Sequence, residues 1–450
     1  MKFMVKKKKS KHRKHMLATL VLLLAIVFIF GFSFTINFSL GEKHEVWDCT
    51  YDDEDICVRN NITSYQLCLD NEIPDVDDCH RTSEGIENVL LYTDEGNYIT
   101  SKYTEENYTI EKINIGHNSA WDAEFLDDGS LIYTEMEGRV VWHSGEEVID
   151  QANIDTTRIG NSGLLGIAAD PEFYENRYVY VYYYHSDRES HEAIEDPIYN
   201  RVSRFEFREG ELRNETVLID EIEGNKGQSG GRMAIGPDEK LYITTGEAEY
   251  GKSGIRELKE RIQDLDFLGG KVLRVNLDGS IPEDNPFDNY VYAYGLRNPQ
   301  GIDFHPESDR PFISVHGPWR YDEINALEPG ANYGWPGEKC GYEYHDIEVE
   351  NTSDSFYCFK DWTIAPSGTT FVDDESHPWY NSYFVTGLRG SVVYRLVLDG
   401  EELVDSEVFY MKKELPYSDI NNRLRNIEFH NGSLYLFGDG HGAAKLTPNQ

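Results

Sequence analysis

Six cysteines are the first residues in this sequence whose type and spacing could do chemistry. Cys49, Cys57, Cys68 and Cys79 cluster early, in a segment too polar to build a large core. Cys340 and Cys358 bracket one loop far downstream. In an oxidising compartment such thiols pair as disulfides. A zinc site from the first four is the alternative, although their long spacings contain no C-x₂-C pair. The bracketing pair is expected to be bonded, whereas the four early cysteines leave three pairings open. Asn-x-Ser/Thr triplets at Asn61, Asn107, Asn214, Asn351 and Asn431 are compatible with glycosylation outside the cell.

The compartment is suggested by what comes before the cysteines. Residues 1–15 form a strongly basic tail, with Lys6 to Lys9, Lys11, Arg13 and Lys14. Residues 16–40 follow as an apolar run, long enough to cross about 30 Å of hydrocarbon. A cleaved signal peptide shares the basic start, but this run exceeds the usual apolar region and no A-x-A site follows it. The expectation is a single-pass membrane anchor, with the basic tail inside and everything after Gly41 outside. The net charge of −39 argues against nucleic-acid binding and fits a heavily solvated acidic surface.

Residues 41–105 read as an acidic, Cys-rich stalk, and 106–450 as one all-β unit. There a hairpin pattern recurs six times: an alternating strand, a turn rich in Asp, Pro, Asn or Gly, and a second strand rich in Tyr or Val. The copies begin near Ala123, Leu165, Met233, Gly301, Thr369 and Ile427. Spacings of about 40 to 70 residues leave room for four strands per copy, the blade of a propeller. Additional strands fit between, as at 202–207, 271–275 and 392–396. The expected fold is therefore a six-bladed β-propeller, preceded by a transmembrane helix and the stalk; a β-sandwich is the main competitor.

From about 117 to 448 the chain resembles the glucose and sorbosone dehydrogenase family. The matching motifs arrive in order: Gly163-Leu164-Leu165-Gly166, Gly231-Arg232, Gly269-Gly270-Lys271, Gly295-Leu296-Arg297-Asn298-Pro299-Gln300-Gly301, Gly317-Pro318, Asn332-Tyr333-Gly334-Trp335-Pro336 and Ile364-Ala365-Pro366-Ser367-Gly368. The resemblance implies pyrroloquinoline quinone (PQQ) and Ca²⁺ as cofactors, a sugar as substrate and an external electron acceptor. PQQ carries three carboxylates, which arginine forks grip in two-point geometry. By position in the motifs, Arg297, Asn298, Arg423 and Arg425 match cofactor contacts. Asn161 replaces a family Gln, Arg389 stands where some members have Lys, and His316 where others have Gln or His. The carbonyls of Gly317 and Pro318 match the calcium ligands, with Asp322 a carboxylate near that loop. Each arginine could instead serve an ordinary ion pair.

One departure stands against these matches. The family's catalytic His lies four residues before the Arg of the Gly-Arg pair, and here that position is Gln228. Glutamine takes no proton near neutral pH. The next hairpin ends in Gly246-Glu247 where the family usually has Gly-Asp. Two readings follow. Glu247 could act as base in a sugar dehydrogenase, or the propeller could be a non-catalytic binding module for carbohydrate or protein, as in the hedgehog-interacting proteins that also resemble this family.

Overall fold

The computed structural model describes most of residues 108–449, without 114–119, 146, 186–197, 249–254, 319–320, 338–339, 341–346, 360–362, 390–391, 411–422 and 439–442. It also describes short strands in two compact units, residues 1–80 and 81–450. In the first, Trp47–Thr50, Ile56–Arg59 and Tyr65–Leu67 form a three-stranded antiparallel sheet. Its register sets Cys49 opposite Cys57. The basic tail, the apolar run of residues 16–40, Cys68 and Cys79 lie outside the described residues. The second unit opens with a hairpin, Asn88–Tyr92 and Tyr98–Lys102. The segment read as an acidic, Cys-rich stalk thus contains strands.

Six four-stranded antiparallel sheets follow, and they are the blades. Blade 1 runs Asp122–Phe125, Leu131–Glu135, Arg139–Ser144 and Glu147–Asn153. Blade 2 is Leu164–Ala169, Tyr178–His185, Ile198–Arg208 and Glu211–Gly224. Blade 3 is Gly230–Ile235, Lys240–Thr245, Lys271–Asn276 and Val291–Tyr294. Blade 4 is Pro299–Phe304, Pro311–Val315, Asp322–Ala326 and Tyr357–Phe359. Blade 5 is Pro366–Phe371, Ser382–Gly387, Val392–Asp399 and Glu402–Tyr410. Blade 6 takes Leu424–His430, Ser433–Gly438 and Ala443–Pro448, and its fourth strand is Tyr108–Ile113 from the start of the domain. That pairing closes the ring with main-chain hydrogen bonds, so chain separation at the junction costs a whole strand ladder.

Burial along the strands explains their composition. The second strand of blade 2, Tyr-Val-Tyr-Val-Tyr-Tyr-Tyr, is covered by neighbouring blades on both faces and is buried from Val179 to Tyr184. Such a strand needs a continuous apolar run. The outermost strand, Glu211–Gly224, has one wet side and carries the charges. The turns behave as their sequences suggest. In blade 1, Asp128 accepts from the Ser130 N–H and Gly129 takes a φ of +79°, which closes a tight corner.

The first strand of every blade lines the central channel, each touching the next around the ring. These strands approach so closely that a Cβ at Gly166 would lie 2.1 Å from the Gly231 carbonyl oxygen. Arg232 acts as an axle. Its guanidinium pairs with Asp122 of blade 1 and donates to the carbonyls of Gln300 in blade 4 (3.1 Å) and Arg425 in blade 6 (2.8 Å). It also stacks over Trp121, 4.6 Å from the ring centre. Outside the site, the disulfide expected between Cys340 and Cys358 is formed, with Cα atoms 5.8 Å apart.

Candidate functional site

In each blade the start of the first strand and the end of the second lie at the same end of the channel, because the two are antiparallel. The candidate residues sit at those places. Asn161, Gln228, the Arg297–Asn298 pair and Arg423 immediately precede first strands, and Arg425 lies one residue into one. Glu247, His316 to Pro318 and Arg389 immediately follow second strands. Residues spread over more than 260 positions therefore gather at one mouth of the propeller. The strand-1 to strand-2 turns lie at the opposite end, around an acidic cavity of about 620 Å³ bordered by Glu124, Asp170 and Asp303 among others.

Arg297 is the centre of the mouth. Its Nη1 donates to the carbonyls of Gly317 (2.8 Å) and His316 (3.0 Å). Its Nε lies 3.3 Å from Glu247 Oε1. Glu247 is buried at the end of blade 3's second strand, and its Oε2 accepts from the Trp335 indole N–H at 2.5 Å. With the amide oriented so that nitrogen faces the carboxylate, Gln228 donates to Glu247 Oε1 and accepts from Arg297 Nη2, both at 2.5 Å. Gln228 and Glu247, two of the departures from the family pattern, are thus in direct contact with each other and with Arg297.

His316 stands beside this cluster, with about a third of its side chain exposed. Burial, followed by the charges of Arg297 and Arg423, pushes its pKa down to about 3. The imidazole is neutral at ordinary pH. Its Nδ1 lies 3.4 Å from Arg297 Nη1, whose two hydrogens already go to the Gly317 and His316 carbonyls.

Asp322 braces the neighbouring loop from behind. It is fully buried, and its Oδ1 accepts from the Gly317 N–H at 2.9 Å. Its Oδ2 accepts from Thr363 Oγ1 and from the N–H groups of Ile364 and Ala365, at 2.8 to 2.9 Å. Burial raises its pKa to about 6 against the pull of those hydrogen bonds. The carbonyls of Gly317 and Pro318 are therefore presented on a fixed loop, and Asp322 serves that loop through its backbone. Among the described residues no group of three or more His, Cys, Asp or Glu is arranged to hold a metal.

The remaining residues are distributed as follows. Asn298 is buried, and its Oδ1 accepts from the Gly230 N–H, so it ties blade 4 to blade 3. Asn161 is exposed on the loop before blade 2. Arg425 is buried on the first strand of blade 6, and Arg423 immediately precedes that strand. Arg389 is partly buried, and its Nε has no hydrogen-bond partner among the described residues. A buried orphan donor is costly unless something else meets it.

Residues 117–447 match the family described as Glucose / Sorbosone dehydrogenase. The chain belongs to that family. Among curated relatives, the aldose sugar dehydrogenase of Escherichia coli is 27% identical over 342 residues, 71% of this chain and 86% of its own. Quinoprotein glucose dehydrogenase B of Acinetobacter calcoaceticus is 35% identical over 223 residues, 46% of this chain and 44% of its own. Among solved structures, the PQQ-bound aldose sugar dehydrogenase of Streptomyces coelicolor superposes with a TM-score of 0.61 at 27% identity, over 76% of this chain and 98% of that one. Trp335 was quoted in the family motif without a role. Its contact with Glu247 spans 88 positions, and nothing in the local pattern points to it.

Proposed function

We propose that this family member oxidises an aldose sugar with PQQ and Ca²⁺, outside the cell and tethered by residues 16–40, and passes the electrons to an external acceptor. The observation that carries this reading is the cationic mouth. Arg297 donates to the His316 and Gly317 carbonyls, Arg389 and Arg423 border the same mouth, and the buried Nε of Arg389 lacks a partner among the described residues. A planar quinone with three carboxylates suits that set of forked donors. When bound, the quinone supplies a two-electron acceptor, and the calcium polarises its carbonyl.

The chain's own residues divide the work. Arg389, Arg423 and Arg425 would hold carboxylates, Arg297 would offer its one remaining N–H, since the others meet Glu247, Gln228 and the His316 and Gly317 carbonyls, and the Gly317 and Pro318 carbonyls would hold the cation. Asp322 keeps those carbonyls in place by fixing the Gly317 N–H. Each carbonyl keeps a lone pair for a cation, since Gly317 already accepts from Arg297 and Pro318 from the Tyr321 N–H. Neutral His316 adds no like charge to the arginine cluster. Gln228 cannot remove the hydroxyl proton.

The test is thermal unfolding with and without PQQ and Ca²⁺, followed by aldose-dependent dye reduction. Binding of the native state should raise Tm in proportion to the logarithm of ligand concentration. A Tm rise with no sugar oxidation would identify a cofactor-binding module. No Tm rise at saturating ligand would end the dehydrogenase reading.

A further inference from the structure

We propose that Trp335 and Glu247 are positioning residues: Trp335 fixes the Glu247 carboxylate, and Glu247 holds the Arg297 guanidinium against the Gly317 carbonyl, facing the cofactor site. The proposal rests on the dehydrogenase reading for its ligand, though its geometry is independent of that reading. It also assigns Glu247 a task other than taking the substrate's proton.

Trp335 is anchored before it reaches Glu247. Its N–H donates to the Gly295 carbonyl at 2.8 Å, and its carbonyl accepts from Gln263 Nε2 at 2.9 Å. Its ring packs on Leu258 and Ile262 of the helix Ile255–Gln263. That helix is tied down in turn, since the buried Lys271 ammonium donates to the Ile262 and Gly269 carbonyls at 2.8 and 2.9 Å. The indole N–H therefore points at Glu247 from a rigid support, 2.5 Å from Oε2.

Glu247 faces donors on several sides. The indole meets Oε2, while the Arg297 Nε and the Gln228 amide meet Oε1. The backbone repeats the link, since the Glu247 N–H donates to the Arg297 carbonyl at 2.7 Å. A general base must accept a proton from substrate through a free, reachable lone pair. This carboxylate has no side-chain exposure, and its lone pairs point at the indole, the guanidinium and the amide. A charge-assisted pair of this kind fixes direction as well as energy. Arg297 is thereby held with Nη1 on the Gly317 and His316 carbonyls, instead of sampling its many rotamers. A preoriented cation binds a carboxylate more tightly, because less freedom is lost on binding.

The experiment compares wild type, Glu247→Gln, Trp335→Phe and the double variant in the full chain. Three quantities are read: PQQ affinity by calorimetry with Ca²⁺ present, the pH profile of dye reduction, and urea unfolding without cofactor. Each single variant should weaken PQQ binding about tenfold, the scale of one charged hydrogen bond. The double variant should be little worse than either, because the two act as one unit. The shape of the pH profile should be retained. A Glu247→Gln protein with unchanged PQQ affinity and turnover reduced a hundredfold or more would make Glu247 the base and overturn the proposal. If wild type fails to bind PQQ, the dehydrogenase reading falls separately, and unfolding decides the positioning claim. Non-additive single effects then support it, and additive ones refute it.

Discussion

Replacing Arg232 by Met should show how much of the propeller hangs on its central cation. The side chain is buried, as is its partner Asp122, with each about 4% exposed. The substitution removes the ion pair and the donors to the carbonyls of Gln300, Arg425 and Trp121. Asp122 keeps two backbone donors, Ala123 N–H and Ile167 N–H, both at 3.0 Å. Breaking a buried pair from one side costs about 3–5 kcal/mol, because a charge is left in a dry place. Methionine conserves much of the volume and the contact with Trp121, so little of the loss should come from a cavity. Burial already raises the Asp122 pKa, and Arg232 is the main force opposing the rise. Without the arginine, Asp122 should take up a proton at higher pH than before. A group whose folded pKa is raised gives stability that is lost as pH rises through that value, so the deficit of Arg232→Met should grow with pH. Urea unfolding at pH 5, 7 and 9 measures this directly. Adding Asp122→Asn removes the stranded charge but sets its amide nitrogen against one of the two backbone N–H groups, so it should recover only about 1 kcal/mol at pH 7. A cost below about 1 kcal/mol for Arg232→Met, or no recovery in the double variant, would refute the axle argument.

Three other expectations follow from groups outside the arginine cluster. Burial pushes the Glu124 carboxyl up to about 8 from 4.5, so folding loses stability as pH rises through that window, with an upper bound of about 5 kcal/mol. The carboxyl borders a cavity that water can enter, so the observed loss should be smaller; Glu124→Gln keeps an acceptor for the Ala169 N–H and should flatten the slope, and unfolding curves that stay parallel from pH 5 to 9 would contradict this. Asp322→Ala strands the N–H groups of Gly317 and Ile364, while the Ala365 N–H keeps Thr363 Oγ1, which should cost about 2–4 kcal/mol and reduce the Tm rise given by Ca²⁺ with PQQ; an unchanged Tm would show that the loop holds itself. Cys340→Ser opens a bridge spanning 18 residues and should lower stability by about 3 kcal/mol in urea, whereas equal stability of oxidised and reduced protein would deny the staple any weight.

The blades were legible in the sequence because inner hairpins bury both faces or one face regularly. Alternation at Ala123 to Tyr133 or Met233 to Ile243 marks a strand pair wherever it sits. The candidate site's end of the channel was legible too, since most family motifs fall where a first strand begins or a second strand ends, with Gly269-Gly270-Lys271 and Asn332 to Pro336 flanking third strands. Long-range partners were not. Nothing in Tyr108–Ile113 says that it completes the last blade beside Ala443–Pro448, because a period of two reports a buried face and not the neighbour that buries it. Arg232 could be read only as one half of a Gly-Arg pair, and its four-blade reach depends on ring closure. The Trp335–Glu247 contact likewise needs blade 4's loop to fold back over blade 3, which no local pattern encodes.

Gln228 and Glu247 are best understood as one change. A glutamine between a carboxylate and a guanidinium can donate to the first and accept from the second, and both contacts are formed here. A neutral histidine at the same place has one donor and one acceptor at fixed ring positions. A protonated one would set a second cation against Arg297. The longer arm of Glu247 brings its carboxylate to both the Trp335 indole and the Arg297 side chain. The result is a neutral, fixed assembly where the family pattern has a proton acceptor. On the proposed reading, grip on a cofactor and removal of a substrate proton would rest on different residues. The arginines and the Gly317–Pro318 loop would carry the first even where the second is weakened, so cofactor binding and sugar oxidation must be measured apart.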